Sequence, residues 1–296
     1  MEKIVVVGGS GYIGYNFIKK IRINKQVITV IRNTKKHINK INYLTNQKIP
    51  YLSDIESLNE LNLDENTKIV YLAGYSISDH SYLDIEHIIN TYMTDLTKTL
   101  EVCRKNKSKL IIVGSYWELV EVPNSTSINL YAAILKSQNP IVNYFAETFN
   151  LSITKVYLSD VYGPGDWRPK LLPNLLKNLS NNIETKLGSP KQIIAPIYLD
   201  DVIEILEQIV DENYKNYGGL KFSEIQIEPM KIYSLGEYIK ELESILKQPL
   251  MISWNLQEKI RPDILEYPII KSSQNKKAFT DLHTGLIKTT EYISES

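Results

Sequence analysis

Tyr131, in the stretch Asn129-Leu-Tyr-Ala-Ala-Ile-Leu-Lys136, opens a helix-length segment and looks like the first half of a catalytic Tyr-x-x-x-Lys pair. A phenol can hand a proton to an oxygen that is gaining charge, and a lysine four residues on shares its helix face. Here the fourth position holds Leu135. The ammonium follows at Lys136, turned away by about 100° unless a π-bulge rotates it back. Without chemistry, Lys136 is simply a solvated helix cation.

A second stretch, Val5-Val-Val-Gly-Gly-Ser-Gly-Tyr-Ile-Gly14, joins an apolar run to an amphipathic one. Gly8 permits a tight turn after a strand, Gly11 lets backbone amides approach a pyrophosphate, and Gly14 allows the following helix to pack closely. A helix N-terminus there offers unpaired amides and partial positive charge to phosphates, so Ser10, Tyr12 and Ile13 join the glycines as dinucleotide contacts. Eighteen residues after Gly14, where a carboxylate would hold the ribose diol of NAD, stands Arg32, followed by Asn33, Lys35 and Lys36. A guanidinium clamps a 2′-phosphate that a carboxylate would repel, which favours NADP(H) over NAD(H). The alternative for these cations is a solvated basic loop.

The elements that must position these groups follow from the patterning. Apolar runs recur at Lys3–Gly8, Gln26–Arg32, Lys68–Ala73, Lys109–Gly114 and Ser152–Leu158, with helix-length segments Gly11–Ile21, Asp84–Lys105 and Tyr131–Phe149 between them. Buried strands alternating with helices predict an α/β fold, a Rossmann-type doubly wound parallel sheet. Residues 1–160 form the dinucleotide-binding domain, with an interleaved strand and helix near 190–215. Residues 161–296 form mainly a smaller substrate-binding lobe, where helices are expected near Pro169–Leu179, at Asp200–Val210 and after Ser234, which has capping-box spacing to Glu237.

The 296 residues carry 34 basic and 34 acidic side chains, which argues against nucleic acid or an anionic membrane as partner. One cysteine, Cys103, allows no internal disulfide, and with four scattered histidines it makes no metal constellation. With no apolar leader or membrane-length apolar run, a soluble cytoplasmic protein is expected.

In order along the chain, Gly8-x-x-Gly11-x-x-Gly14, Tyr71-Leu-Ala-Gly74, Tyr131-Ala-Ala, Tyr162-Gly-Pro-Gly165 and Tyr198-Leu-Asp-Asp-Val202 resemble the extended short-chain dehydrogenase/reductases, the epimerase and dehydratase family of nucleotide sugars. Ile260-Arg-Pro-Asp-Ile264 and Thr284-Gly-Leu286 extend the resemblance nearly end to end. Gly114-Ser-Tyr-Trp117, Asn129-Leu-Tyr-Ala-Ala133 and Tyr162-Gly-Pro-Gly-Asp-Trp-Arg-Pro-Lys170 look most like the branch that reduces 4-keto-6-deoxy nucleotide sugars, the CDP-abequose and CDP-paratose type.

The resemblance implies that Asp54 and Ile55 flank the adenine, while Leu72, Ala73 and Gly74 line the nicotinamide side. The loop carrying Ser76 would face the sugar, with Glu118 a further substrate contact, and Asp166, Arg168, Lys170 and Arg261 would meet nucleotide and diphosphate. Each has an ordinary alternative: Asp54 a helix cap, Arg168 a surface cation, Arg261 a partner of Glu266. It also implies that Tyr131 protonates the ketone oxygen, that a lysine four residues on holds the ribose and lowers the tyrosine pKa, and that a strand-five hydroxyl binds the carbonyl. That hydroxyl matches Tyr116, with Ser115 one position early.

The leading expectation is therefore an NADP(H)-dependent 4-ketoreductase with a non-standard triad, since an unperturbed phenol is protonated at neutral pH. The alternatives are a catalytically silent NADP(H)-binding protein, working as redox sensor or partner subunit, and a nucleotide-sugar epimerase. The missing lysine counts against epimerisation, which needs Tyr131 in both directions. Trp117-Glu118, where dehydratases carry Asp-Glu, counts against dehydration. Family members often dimerise through two long helices, here Asp84–Lys105 and Tyr131–Phe149, which suggests a homodimer.

Overall fold

A computed structural model describes residues 2–32, 38–75, 77, 79–122, 127–211, 221–255, 263–270 and 276–295. The first half alternates as the apolar periodicity requires. Strands β1 (Lys3–Val7), β2 (Gln26–Val30), β3 (Tyr51–Leu52), β4 (Lys68–Tyr71), β5 (Lys109–Ser115) and β6 (Ile153–Leu158) alternate with helices α1 (Tyr12–Ile21), α2 (Ile38–Asn46), α3 (Tyr82–Ile89), α4 (Asp95–Asn106) and α5 (Leu130–Phe149). Between β3 and β4 the chain makes only a short 3₁₀ turn, Glu56–Glu60. Among the described residues the central sheet has the order Lys276–Lys277, Phe222–Glu228, β6, β5, β4, β1, β2, β3. Every neighbouring pair in it is parallel.

Strands covered by helices on both faces have no polar side to show. In β1, Ile4, Val5 and Val6 are wholly buried, with Val5 in one apolar layer and Ile4 and Val6 in the opposite one. The strand order turns back between β1 and β4. In open α/β sheets such a switch point, at the carboxyl ends of the strands, is the usual seat of a ligand.

The second half is interleaved with the first. Phe222–Glu228 adds to β6 as a further parallel strand. The helices that follow are α6 (Leu171–Ser180), α7 (Leu199–Val210), α8 (Leu235–Leu246) and α9 (Leu282–Glu295). Val202, Leu206 and Ile209 of α7 share the core of Phe17 and Ile18 on α1. A separate core gathers Tyr162, Leu172, Tyr238, Leu242 and Leu286. At the head of α8 the expected capping box is present, Glu237 accepting from the Ser234 amide at 2.8 Å and Ser234 from the Glu237 amide at 3.3 Å.

The long segment expected at Asp84–Lys105 is helical but not uniform, because α3 and α4 are joined by a π-turn over Asn90–Thr94. By contrast, α5 runs as α-helix across Tyr131, Leu135 and Lys136, and Lys136 is exposed. The bulge that would have rotated Lys136 toward Tyr131 lies in a different helix.

Candidate active site

The glycine turn is shaped by close backbone approach. Gly8 has φ +97°, and a Cβ there would lie 2.6 Å from the Ala73 nitrogen. A Cβ on Gly14 would lie 2.4 Å from the Gly8 carbonyl oxygen, so the first turn of α1 sits directly against the loop. Gly11 is the N-cap of α1, no side chain caps the amides, and the first turn has no acidic residue. A narrow cradle with uncapped amides and no carboxylate suits a dinucleotide pyrophosphate. Tyr12 and Ser10 are buried there and Ile13 is half-buried.

The loop after Asp160–Tyr162 (β7) closes on this turn. The Tyr12 hydroxyl donates to the Pro164 carbonyl at 3.0 Å, and its ring meets Trp167 edge-on with centroids 5.4 Å apart. Lys40 on α2 lies 3.3 Å from the Trp167 ring centroid and donates to the Ser10 carbonyl. Burial pushes its ammonium down to about 8. Lys40 was missed from the sequence, although it continues the basic run after Arg32.

Arg32 is oriented differently from its expected role. Its guanidinium donates to Asp95 Oδ2 and to Thr91 Oγ1, both at 3.0 Å, so it faces α4, with 38% of its side chain exposed. Asn33 and Lys36 lie outside the described residues, as do Ser76 and Arg261. Asp54 accepts from the Ser57 amide at 2.8 Å and the Ser57 hydroxyl at 2.7 Å, which holds its carboxyl below the usual range. Ile55 is buried in the core beside it.

Leu72, Ala73 and Gly74 leave β4 alongside the glycine turn, and the Leu72 amide donates to the Val7 carbonyl at 2.8 Å. Here the structure gathers an aromatic cluster. Tyr131 lies 5.6 Å from Tyr92 and 6.1 Å from Trp117 between ring centroids, and Tyr75 packs against the same group. Tyr131 is 8% exposed and Leu135, one helical turn on, is 1% exposed. Tyr92 sits in the π-turn, a position no sequence periodicity announced.

The two candidate carbonyl ligands separate. The Ser115 hydroxyl accepts from the Trp117 amide at 3.3 Å, which leaves its own proton for an incoming oxygen. Tyr116 is buried, and its hydroxyl donates to Asp160 Oδ2 at 3.4 Å.

Glu118, expected as a substrate contact, is buried and ion-paired. Its carboxylate is 1% exposed, paired with the ammonium of Lys155 on β6, and accepts from the Ser115 amide at 2.8 Å. Burial pushes this carboxyl up, against the pull of Lys155. Lys155 also donates to Asn139 Oδ1 at 2.8 Å and to the carbonyl of Leu135 at 3.4 Å.

Asp166 and Arg168 are paired with each other, Nε to Oδ1 and a terminal nitrogen to Oδ2 at 2.8 Å, and Arg168 also donates to the Val161 carbonyl. Lys170 N-caps α6, and burial lowers its pKa.

A doubly wound parallel sheet with a glycine cradle at its switch point and a helix-borne phenol beside it defines a dinucleotide-binding α/β protein. The chain belongs to the NAD dependent epimerase/dehydratase family, whose family model matches residues 4–219. It is 26% identical to the CDP-abequose synthase of Yersinia pseudotuberculosis over 251 residues, 83% of this chain and 84% of that one. It is also 26% identical to the dTDP-glucose 4,6-dehydratase of Salmonella typhimurium over 267 residues, 73% of this chain and 72% of that one. Among solved structures, UDP-glucuronic acid 4-epimerase from Bacillus cereus, in complex with a UDP-sugar analogue and NAD, superposes with a TM-score of 0.79 at 18% identity, covering 99% of both chains. The dTDP-glucose 4,6-dehydratase from Bacillus anthracis, in complex with NAD, superposes at 0.78 with 15% identity, covering 100% of this chain and 97% of that one.

Proposed function

We propose that this protein reduces the keto group of a 4-keto-6-deoxy sugar carried on a nucleoside diphosphate. The observation that carries the reading is Tyr131, set with Tyr92 and Tyr75 against the end of β4 that also abuts the glycine turn. The similarity to CDP-abequose synthase supports the nucleotide-sugar substrate and this branch of the family.

The glycine cradle and the first turn of α1 would hold the dinucleotide phosphates, with Ala73 and Gly74 on the nicotinamide side, and the reduced cofactor would supply the hydride. Ser115 donates a hydrogen bond to the ketone oxygen, and Tyr131 gives that oxygen its proton. A phenol is protonated at neutral pH, so reduction proceeds from the resting state of Tyr131 without a lysine to lower its pKa.

Arg32 is the residue that favours NADP(H), and its fork faces the Asp95 carboxylate, which would repel a 2′-phosphate. Both structural neighbours described above hold NAD. We therefore favour NAD(H), with NADP(H) as the alternative, and Asp95→Asn should improve NADPH binding relative to NADH.

Exposed apolar side chains on α3 and α5, Tyr82, Leu83, Ile89, Tyr144 and Phe149, suit a homodimer built on these helices. None of the described helices is long and apolar enough to cross a membrane.

The test is oxidation of NADH or NADPH by purified protein with CDP-, GDP- or dTDP-linked 4-keto-6-deoxy sugars. Tyr131→Phe should lower turnover by about 10² to 10⁴ while leaving dinucleotide affinity unchanged. Full turnover in that variant refutes the assignment. The buried Leu135 supports a second reading, a silent dinucleotide-binding protein. That reading gains if only Leu135→Lys is active.

A further inference from the structure

Between Tyr131 and the end of β4 stands a second phenol that the family resemblance did not anticipate. Tyr92 is 4% exposed and lies in the π-turn, where one extra residue per turn swings its side chain off the surface stripe of α3 and α4 and inward. Three contacts pin that turn. Gln138 Nε2 on α5 donates to the Tyr92 carbonyl at 2.8 Å, Tyr71 donates to the Thr91 carbonyl, and Arg32 donates to Thr91 Oγ1 at 3.0 Å.

The Tyr92 hydroxyl oxygen accepts the Tyr75 amide proton at 2.8 Å, and the Tyr92 ring meets the Tyr131 ring at 67° with centroids 5.6 Å apart. The hydroxyl oxygen also lies 3.1 Å from the place a Cβ on Gly74 would occupy. With an N–H filling one of its lone pairs, the hydroxyl of Tyr92 is free to direct its own O–H toward the oxygen of Tyr131.

We infer that Tyr92 takes the electrostatic part of the absent lysine: it donates a hydrogen bond to the Tyr131 oxygen and steadies the phenolate left when Tyr131 gives up its proton. The inference rests on the reductase reading. In the balanced step the O–H bond of Tyr131 breaks, the new O–H bond forms on the substrate oxygen as its carbon receives the hydride, and water later returns a proton to Tyr131. Tyr92 keeps its own proton and acts through Tyr131, so it is a positioning residue. A hydrogen bond to a charged oxygen is about twice as strong as one between neutral groups, so it favours the phenolate over the phenol.

The experiment is a pH titration of the tyrosine ring carbons by NMR in ligand-free protein labelled at the phenol carbon, with the Tyr131 signal assigned by its loss in Tyr131→Phe. Tyr92→Phe retains the ring and should move the Tyr131 midpoint upward by about one pH unit. Turnover should fall about tenfold with KM nearly unchanged, and the alkaline limb of the pH–rate profile should move the same way. Should Tyr92→Phe fail to fold, Gly74→Ala, whose Cβ presses on the Tyr92 hydroxyl, is read instead and should also raise the midpoint. An unmoved Tyr131 midpoint overturns the inference and leaves the reductase reading intact. The reductase reading fails separately, by full turnover in Tyr131→Phe.

Discussion

The ammonium of Lys155 and the carboxylate of Glu118 form an ion pair whose side chains are 0% and 1% exposed. The same ammonium reaches the carbonyl of Leu135, the residue standing where a catalytic lysine was expected. A cation is therefore present behind this turn of α5, but it enters from β6 and Glu118 balances its charge. It braces the helix that carries Tyr131.

Breaking this pair leaves an uncompensated buried charge. Lys155→Met is expected to lower unfolding free energy by about 3–5 kcal/mol in urea titration, and adding Glu118→Gln should recover part of the loss. A Lys155→Met protein as stable as the parent would mean that the pair contributes nothing.

The proposed cradle for phosphates depends on Gly14 lacking a side chain. Gly14→Ala would drive its Cβ to within 2.4 Å of the Gly8 carbonyl oxygen, so helix and loop must separate. Dinucleotide affinity by calorimetry should drop at least tenfold, with the circular dichroism of the fold retained.

Lys40 ties affinity to pH. Burial sets its ammonium at about 8, and an anion bound nearby would stabilise the charged form. Dinucleotide binding should thus be strongest below that pH and weaken as pH rises through it. Lys40→Met should bind less tightly at neutral pH and lose this alkaline dependence.

Leu83 on α3 and Tyr144 on α5 are 83% and 55% exposed. If these helices meet their copies in a dimer, Leu83→Glu combined with Tyr144→Glu should give a monomer in sedimentation without unfolding the chain, since each side chain is solvated in the single subunit. Unchanged sedimentation would remove this face from consideration.

Much of this protein is set by short-range chemistry. The alternating apolar runs specify parallel strands and covering helices, the spacing of Gly8, Gly11 and Gly14 specifies the tight turn into α1, and Ser234 with Glu237 specifies a helix start. Each signal lies within a few residues, where backbone freedom and side-chain period are already decided. Only the tertiary structure joined Glu118 to Lys155, 37 positions on, and Arg32 to Asp95, 63 positions on. It also set the π-turn that brings Tyr92 to Tyr131. Such pairings follow from strand order and from which helix face meets which neighbour, and local periodicity carries no record of either.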